Sequence, residues 1–99
     1  MAAAATIQRD GDLLRVDGDL DFDSVPPLWE ATRSLFAADP PARIDLRGVG
    51  RANSAGVALL VAWLGQARRR QQPVAFVNVP AQMRAIIAVA DLDTVLPLA

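Results

Sequence analysis

The stretch Ile44-Asp45-Leu46-Arg47-Gly48-Val49-Gly50-Arg51-Ala52-Asn53-Ser54-Ala55-Gly56-Val57-Ala58-Leu59-Leu60 decides the fold. Residues 42–49 contain a short strand, with Ile44 and Leu46 turned inward by the two-residue period of extended chain. Arg51-Ala52-Asn53-Ser54 then reads as a loop, and over 55–71 the apolar spacing becomes that of a long helix. A strand that turns at once into a long helix is half of a strand–helix–strand unit, the building block of parallel sheets.

The flanks extend the pattern in both directions. Upstream, residues 6–9 and 13–22 read as two strands joined at Asp10-Gly11-Asp12, a strong hairpin signal. Along the second strand Leu14, Val16, Gly18, Leu20 and Phe22 point one way, and Arg15, Asp17, Asp19, Asp21 and Asp23 the other. Asp23 or Ser24 caps a helix whose first turn tolerates Pro26 and Pro27. Its inner face is Val25, Leu28, Trp29, Thr32, Leu35 and Phe36, and Asp39-Pro40-Pro41 ends it.

Downstream, Pro73 breaks the long helix ahead of an apolar strand over 74–79. Pro80 opens a third helix with Met83, Ile86, Ile87 and Ala90 on one stripe, and 92–98 is a short tail with strand character. The order is β-β-α-β-α-β-α. It predicts one α/β domain over residues 1–99, a mixed and mainly parallel sheet with helices packed against it.

Composition narrows what such a domain does. A chain of 99 residues, 53% of them hydrophobic, has room for one unstapled core. The net charge is −1 and all ten basic residues are arginine, so no global field draws it to nucleic acid or an anionic membrane. Cysteine is absent, which removes disulfides and thiolate metal sites. With no His, Cys, Lys or Tyr, most general bases and covalent nucleophiles are missing, and nothing assembles an enzyme or calls for a cofactor. Met1-Ala2-Ala3-Ala4-Ala5-Thr6 lacks the basic start and apolar run of a signal peptide. The longest nearly uncharged apolar run, 55–65, is too short to span a bilayer, so membrane association is expected only through a partner.

Four features are candidates for function. At Ala52-Asn53-Ser54-Ala55-Gly56 a hydroxyl arrives at a helix N-terminus, where free backbone N–H groups favour negative charge. Either Asn53 or Ser54 simply caps the helix, or Ser54 is a contact or phosphorylation site, where a phosphate would add roughly −1.5 to −2 charge. The long helix carries two apolar stripes. Val57, Leu60, Val61 and Leu64 are expected to face the sheet; Ala55, Ala58, Leu59, Ala62 and Trp63 form the second. The second stripe either packs on a neighbouring helix or presents Leu59 and Trp63 to a partner as anchors. On the anchor reading, Trp63→Ala costs binding more than stability. Arg68-Arg69-Arg70 reads as a solvated helix end favoured by the dipole. Asp19, Asp21, Asp23 and Glu30 fall in a calcium-loop register, but Ser24 replaces the required glycine and prolines interrupt the loop, so strand alternation explains the spacing.

Gly18-Asp19-Leu20-Asp21 is similar to the G-x-L-D strand end of the STAS-domain family, which includes bacterial anti-sigma-factor antagonists and related adaptors. Ile44-Asp45-Leu46-Arg47-Gly48-Val49 is similar to that family's strand before the switch loop, and Asn53-Ser54-Ala55-Gly56-Val57-Ala58-Leu59-Leu60 to its D-S-x-G-x-x-x-L motif. The chain therefore resembles a STAS domain over nearly its whole length. Pro27-Leu28-Trp29-Glu30 and Gly56-Val57-Ala58-Leu59-Leu60 look like the P-L-W-E and G-L-A-L-L of the STAS subunits of Gram-negative phospholipid ABC transporters.

The resemblance implies a cytoplasmic accessory subunit, peripheral to the inner membrane through its partner, bound to the transporter ATPase and supporting lipid traffic that maintains outer-membrane asymmetry. It implies an interface over Arg51, Asn53, Ser54, Ala55, Ala58, Leu59 and Trp63, with Ser54 at the ATPase contact. The alternative it implies is an anti-sigma-factor antagonist switched by phosphorylation of Ser54. Antagonists of that kind usually carry Asp immediately before the serine, and here Asn53 stands there.

Overall fold

Strand β3 (Arg43–Ala52) is longer than the sequence expectation, and the reason is two bulges. Beside β2 (Leu13–Leu20), Arg15 pairs with Asp45 but Asp17 with Gly48, and Gly18 pairs with Val49 but Leu20 with Ala52. Each irregularity inserts one extra residue into β3, which shifts the side-chain alternation. The inward positions are therefore Ile44, Leu46 and Val49, not a strict every-second series. At the first bulge a Cβ on Gly48 would lie 1.7 Å from Asp17 Oδ1, so a side chain there would have to displace the exposed Asp17 carboxylate. The segment 51–52 expected as loop is thus the end of the strand.

In the computed structural model, residues 5–99 are described; the reading of Met1-Ala2-Ala3-Ala4 against a signal peptide lies outside them. The order is β1 (Thr6–Asp10), β2, α1 (Val25–Ala38), β3, α2 (Ser54–Arg69), β4 (Ala75–Val77) and α3 (Ala81–Val89). It is the β-β-α-β-α-β-α series of the sequence. The sheet runs β1-β2-β3-β4, with β1 antiparallel to β2 and the other pairs parallel. Gly11 takes φ +60° in the hairpin turn. The tail contributes a single parallel bridge, Phe76 to Leu98, and no full strand. β2 stops at Leu20, so Phe22 is not an inward strand residue: it stands on the following turn, 70% exposed.

One face of the sheet supplies Leu14, Val16, Leu20, Ile44, Leu46, Val49 and Phe76 to the core, and the helices supply Leu28, Phe36, Leu59, Leu60, Trp63, Met83 and Ile87. The other face exposes Arg15, Asp17 and Arg47 to solvent. α2 packs against α1 on one side and α3 on the other. A helix so enclosed buries both of its apolar stripes, and this corrects the anchor reading. Leu59 is 2% and Trp63 0% exposed. Trp63 stacks on Phe36 with ring centroids 5.3 Å apart and 3° between planes. Its Nε1 donates to Thr32 Oγ1 at 2.9 Å, and that hydroxyl donates to the Leu28 carbonyl at 2.9 Å. Conversely Val61, expected to face the sheet, is exposed.

Trp63 is therefore a core residue with its one polar atom satisfied. Trp63→Ala is expected to cost about 3–5 kcal/mol of stability, a large part of the roughly 5–15 kcal/mol a domain has. Thr32→Val, which leaves the indole N–H buried and unpaired, is expected to cost about 1–3 kcal/mol. Urea unfolding followed by Trp fluorescence and far-UV circular dichroism measures both; a negligible loss for Trp63→Ala contradicts the placement.

Candidate functional site

The carboxyl ends of β2 and β3 finish together, with Leu20 opposite Ala52, and the Asn53 amide donates to the Leu20 carbonyl at 3.1 Å. Asn53 is the single residue between β3 and α2. Its Oδ1 accepts the Ala55 amide at 2.8 Å, so Asn53 and not Ser54 is the N-cap. Ser54 is the first residue of α2 and exposed, and its hydroxyl has no hydrogen-bond partner among the described residues. The next glycine explains the tightness of this start. A Cβ on Gly56 would lie 2.9 Å from Leu20 Cβ, closer than real side chains approach, so the first turn of α2 lies directly on β2.

Two side chains brace the loop before Ser54. Asp19 Oδ1 accepts the Arg51 amide at 2.8 Å, and Gln82 Nε2 from the first turn of α3 donates to the Gly50 carbonyl at 2.6 Å. Arg51 is thereby held by its backbone while its side chain stays exposed. Asp19, Leu20, Asp21, Arg51, Ala52, Asn53 and Gln82 line a shallow open recess at this end.

The neighbouring turn holds itself together. Asp21 Oδ1 accepts the amides of Ser24 at 2.8 Å and Asp23 at 2.9 Å. Ser24 Oγ accepts the Asp21 amide at 3.0 Å and donates to the Asp19 carbonyl at 2.6 Å. Ser24 is the N-cap residue of α1 by position, but its side chain makes no capping bond, which corrects the expected chemistry. The Ser24 backbone N–H above all, and the Asp23 N–H after it, hold the Asp21 carboxyl below the ordinary carboxylate value. On the open sheet face, burial pushes the Asp45 carboxyl up. The Asn78 amide, the Arg47 N–H and the charges of Arg47 and Arg15 outweigh it, and its pKa is lowered.

Of the residues expected at the interface, Arg51, Asn53, Ser54 and Ala58 come together at one end and on the outer face of α2. Ala55, Leu59 and Trp63 are buried beneath them and cannot touch a partner directly. What the sequence reading passed over is the outward stripe itself. Ser54, Ala58, Val61 and Gly65 are all exposed and fall at i, i+4, i+7 and i+11, one helical face. Small residues read as filler, so only their spacing signals the face. Half-buried Trp29 on α1 flanks it, beside Ala62, Gly65, Gln66 and Arg69.

The remaining candidates are structural. Asp19 and Asp21 accept from backbone N–H groups, and Glu30 pairs with Arg33 at 3.2 Å on the surface of α1. At the end of α2, Arg68 donates to the Val95 carbonyl at 3.5 Å and Arg70 to the Ala38 carbonyl at 3.2 Å.

A family model described as "Mlab, STAS domain" matches residues 3–97. Among solved structures, the chain is similar to one from the Acinetobacter MlaFEDB complex in its ATP-bound Vtrans1 conformation, with TM-score 0.75 and 29% identity over 95% of this chain and 100% of that one. An anti-sigma factor antagonist from Mycobacterium paratuberculosis gives TM-score 0.75 and 24% identity, covering 99% and 89%. Unphosphorylated SpoIIAA, also an anti-sigma factor antagonist, gives 0.74 and 15%, covering 97% and 88%. These last two likenesses are of fold. No curated protein sequence matches the chain.

Two outcomes follow from this geometry. Asn53→Ala is expected to destabilise by about 1 kcal/mol through the lost cap, whereas Ser54→Ala stays within about 0.5 kcal/mol; equal losses in chemical denaturation contradict the assignment of the cap. The lowered pKa of Asp21 makes its carboxylate stabilising above the unfolded value of about 3.9, a contribution lost as pH falls through the folded value. The stability gap between wild type and Asp21→Asn is therefore expected to close below pH of about 4. A gap that persists undiminished at pH values well below about 4 contradicts it.

Proposed function

The chain belongs to the MlaB family of STAS domains, and on that premise we propose that it is a non-catalytic accessory subunit docking on the ATPase of a phospholipid ABC transporter. The observation that carries the proposal is the outer face of α2. From Ser54 to Gly65 it presents no charge to solvent, although α2 is the middle helix of its layer and already has a neighbour on each side. A helix face without charge loses little on being covered by another protein, and that supports the reading. Its counterpart across the molecule, the open sheet face, carries Arg15, Asp17, Asp45 and Arg47 in alternating sign. That pattern is suited to water and unsuited to a polyanion such as nucleic acid.

The partner-binding residues in this reading are Arg51, Asn53, Ser54 and Ala58, with Val61 and Trp29 beside them. Ala55, Leu59 and Trp63 support the face from below. The 29% likeness to a chain of a multi-subunit transporter complex favours an assembly of that kind. No helix among the described residues is long and apolar enough to cross a membrane, so in this reading the chain reaches the inner membrane from the cytoplasm, through the ATPase alone. Binding only the folded or assembled ATPase stabilises that state by mass action. The role in the cell is support of the lipid traffic that maintains outer-membrane asymmetry.

A second reading rests on one observation, the free and exposed hydroxyl of Ser54 at the start of α2. A phosphate there would place charge in the middle of the docking face and release the partner by repulsion and desolvation. In an anti-sigma-factor antagonist the same chemistry acts as a switch.

Titration of the purified transporter ATPase with the chain tests the first reading. Ser54→Asp and Ala58→Arg are expected to weaken binding by roughly tenfold or more, with melting temperatures unchanged because both sites are exposed. Unchanged affinity in both variants contradicts the docking face. Phosphorylation of Ser54 by an anti-sigma kinase, without ATPase binding, favours the second reading.

A further inference from the structure

The peptide unit between Gly50 and Arg51 is held from both sides by side chains. It lies inside the second bulge of β3, where Asp19 alone stands opposite Gly50 and Arg51. On the other side β4 ends at Val77, opposite Asp45, so it does not reach this far along β3. In a trans peptide the N–H and the C=O point in opposite directions. Here the N–H donates to Asp19 Oδ1 at 2.8 Å, and the C=O accepts from Gln82 Nε2 at 2.6 Å. Gly50 leaves room for the first bond, since a Cβ on it would lie 2.7 Å from the same Asp19 oxygen.

Stability of the fold gives little reason for this arrangement. Gln82 is exposed, and ordering a long side chain surrenders rotamer freedom that largely offsets what an exposed hydrogen bond returns. Yet two side chains from separate elements, the end of β2 and the first turn of α3, converge on one peptide. Without them that peptide can rotate, because glycine admits conformations closed to other residues. Its orientation sets the direction in which Arg51 leaves the chain. Asn53, two residues on, is already fixed as the cap of α2. The Gly50–Arg51 peptide is therefore an adjustable link in the loop that presents Arg51 and Ser54.

We infer that Asp19 and Gln82 are positioning residues for the ATPase partner, and that they act by locking this peptide in the orientation the partner binds. The inference rests on the docking face proposed above. With both bonds in place the loop is preorganised, and docking carries no cost of reordering it. With either bond removed, only a fraction of the chains presents Arg51 in the required direction, and the apparent affinity falls with that fraction. Neither side chain has to touch the partner for this to happen.

Three measurements on Asp19→Ala, Asp19→Asn, Gln82→Met and the double variant D19A/Q82M test it: residue-resolved amide exchange of the free chain, melting temperature, and affinity for the purified ATPase. Ala58→Arg reports on the docking face itself. Asp19→Ala and Gln82→Met are each expected to bind roughly threefold more weakly, and the double variant roughly tenfold or more. In the free chain the Arg51 amide is expected to exchange roughly fivefold or more faster in the double variant. Its melting temperature is expected to fall by less than about 8 °C. Asp19→Asn, whose side-chain carbonyl still accepts the Arg51 amide, is expected to bind within roughly twofold of wild type. Faster Arg51 exchange with unchanged affinity, while Ala58→Arg fails to bind, overturns the positioning role and leaves the docking face standing. Weaker binding with Arg51 exchange unchanged makes the two side chains direct contacts and overturns it as well. A larger loss of melting temperature makes them supports of the fold, with the same consequence. If the wild type does not bind, or Ala58→Arg binds as well as wild type, the docking face is overturned and the positioning role with it.

Discussion

The close seat of α2 on β2 is the constraint from which the rest of the structure follows. It depends on Gly56 having no side chain, since a Cβ there would collide with Leu20. With the helix pressed to the sheet at its first turn, one residue suffices to join β3 to α2, and Asn53 spends its side chain capping that turn. Ser54 is then carried to the surface by geometry. The bulges of β3 belong to the same arrangement. They let the strand run two residues further than β2 over the paired stretch, so that it ends level with Leu20.

Burial of α2 on three sides concentrates whatever is left into one face. Leu60 and Leu64 are buried in the core, α1 takes Trp63 through Phe36 and Thr32, and α3 packs on α2 as well. What remains outside is Ser54, Ala58, Val61 and Gly65, a face of small or apolar residues without charge. Charge is placed elsewhere, in the alternating arginines and aspartates of the open sheet face, the acidic turn at Asp21 to Asp23 and the arginines that end α2. A surface sorted in this way has a dry side and a wet side, and the dry side is the one that ends in the braced loop at Arg51.

The order of elements and the mixed sheet were legible because each strand or helix carried one dominant period and a turn signal at its boundary. Asp10-Gly11-Asp12 marked the hairpin, Pro73 ended α2, and Pro80 opened α3. The end of β3 was not legible. A strand with bulges at Gly48 and Gly50 loses its two-residue alternation and resembles a loop. Phe22 was misplaced because alternation continues in sequence past the point where the chain turns. The candidate site was legible at its loop, where Asn53 and Ser54 announce a helix start. Its helix face was misread, since hydrophobicity points to Leu59 and Trp63, and only tertiary neighbours reveal that both stripes are already taken. Trp63 carries a polar atom satisfied by Thr32 from another helix, a pairing no local pattern foretells.

The central claim is that the outer face of α2 is where this domain meets the transporter ATPase. Hydrogen–deuterium exchange of the chain alone and in complex with the purified ATPase addresses that claim most directly. The account predicts slowed exchange in residues 50–65 and in the adjoining start of α1, with β1 and the outward face of β2 unchanged. Slowed exchange confined to the open sheet face, with α2 untouched, would contradict it.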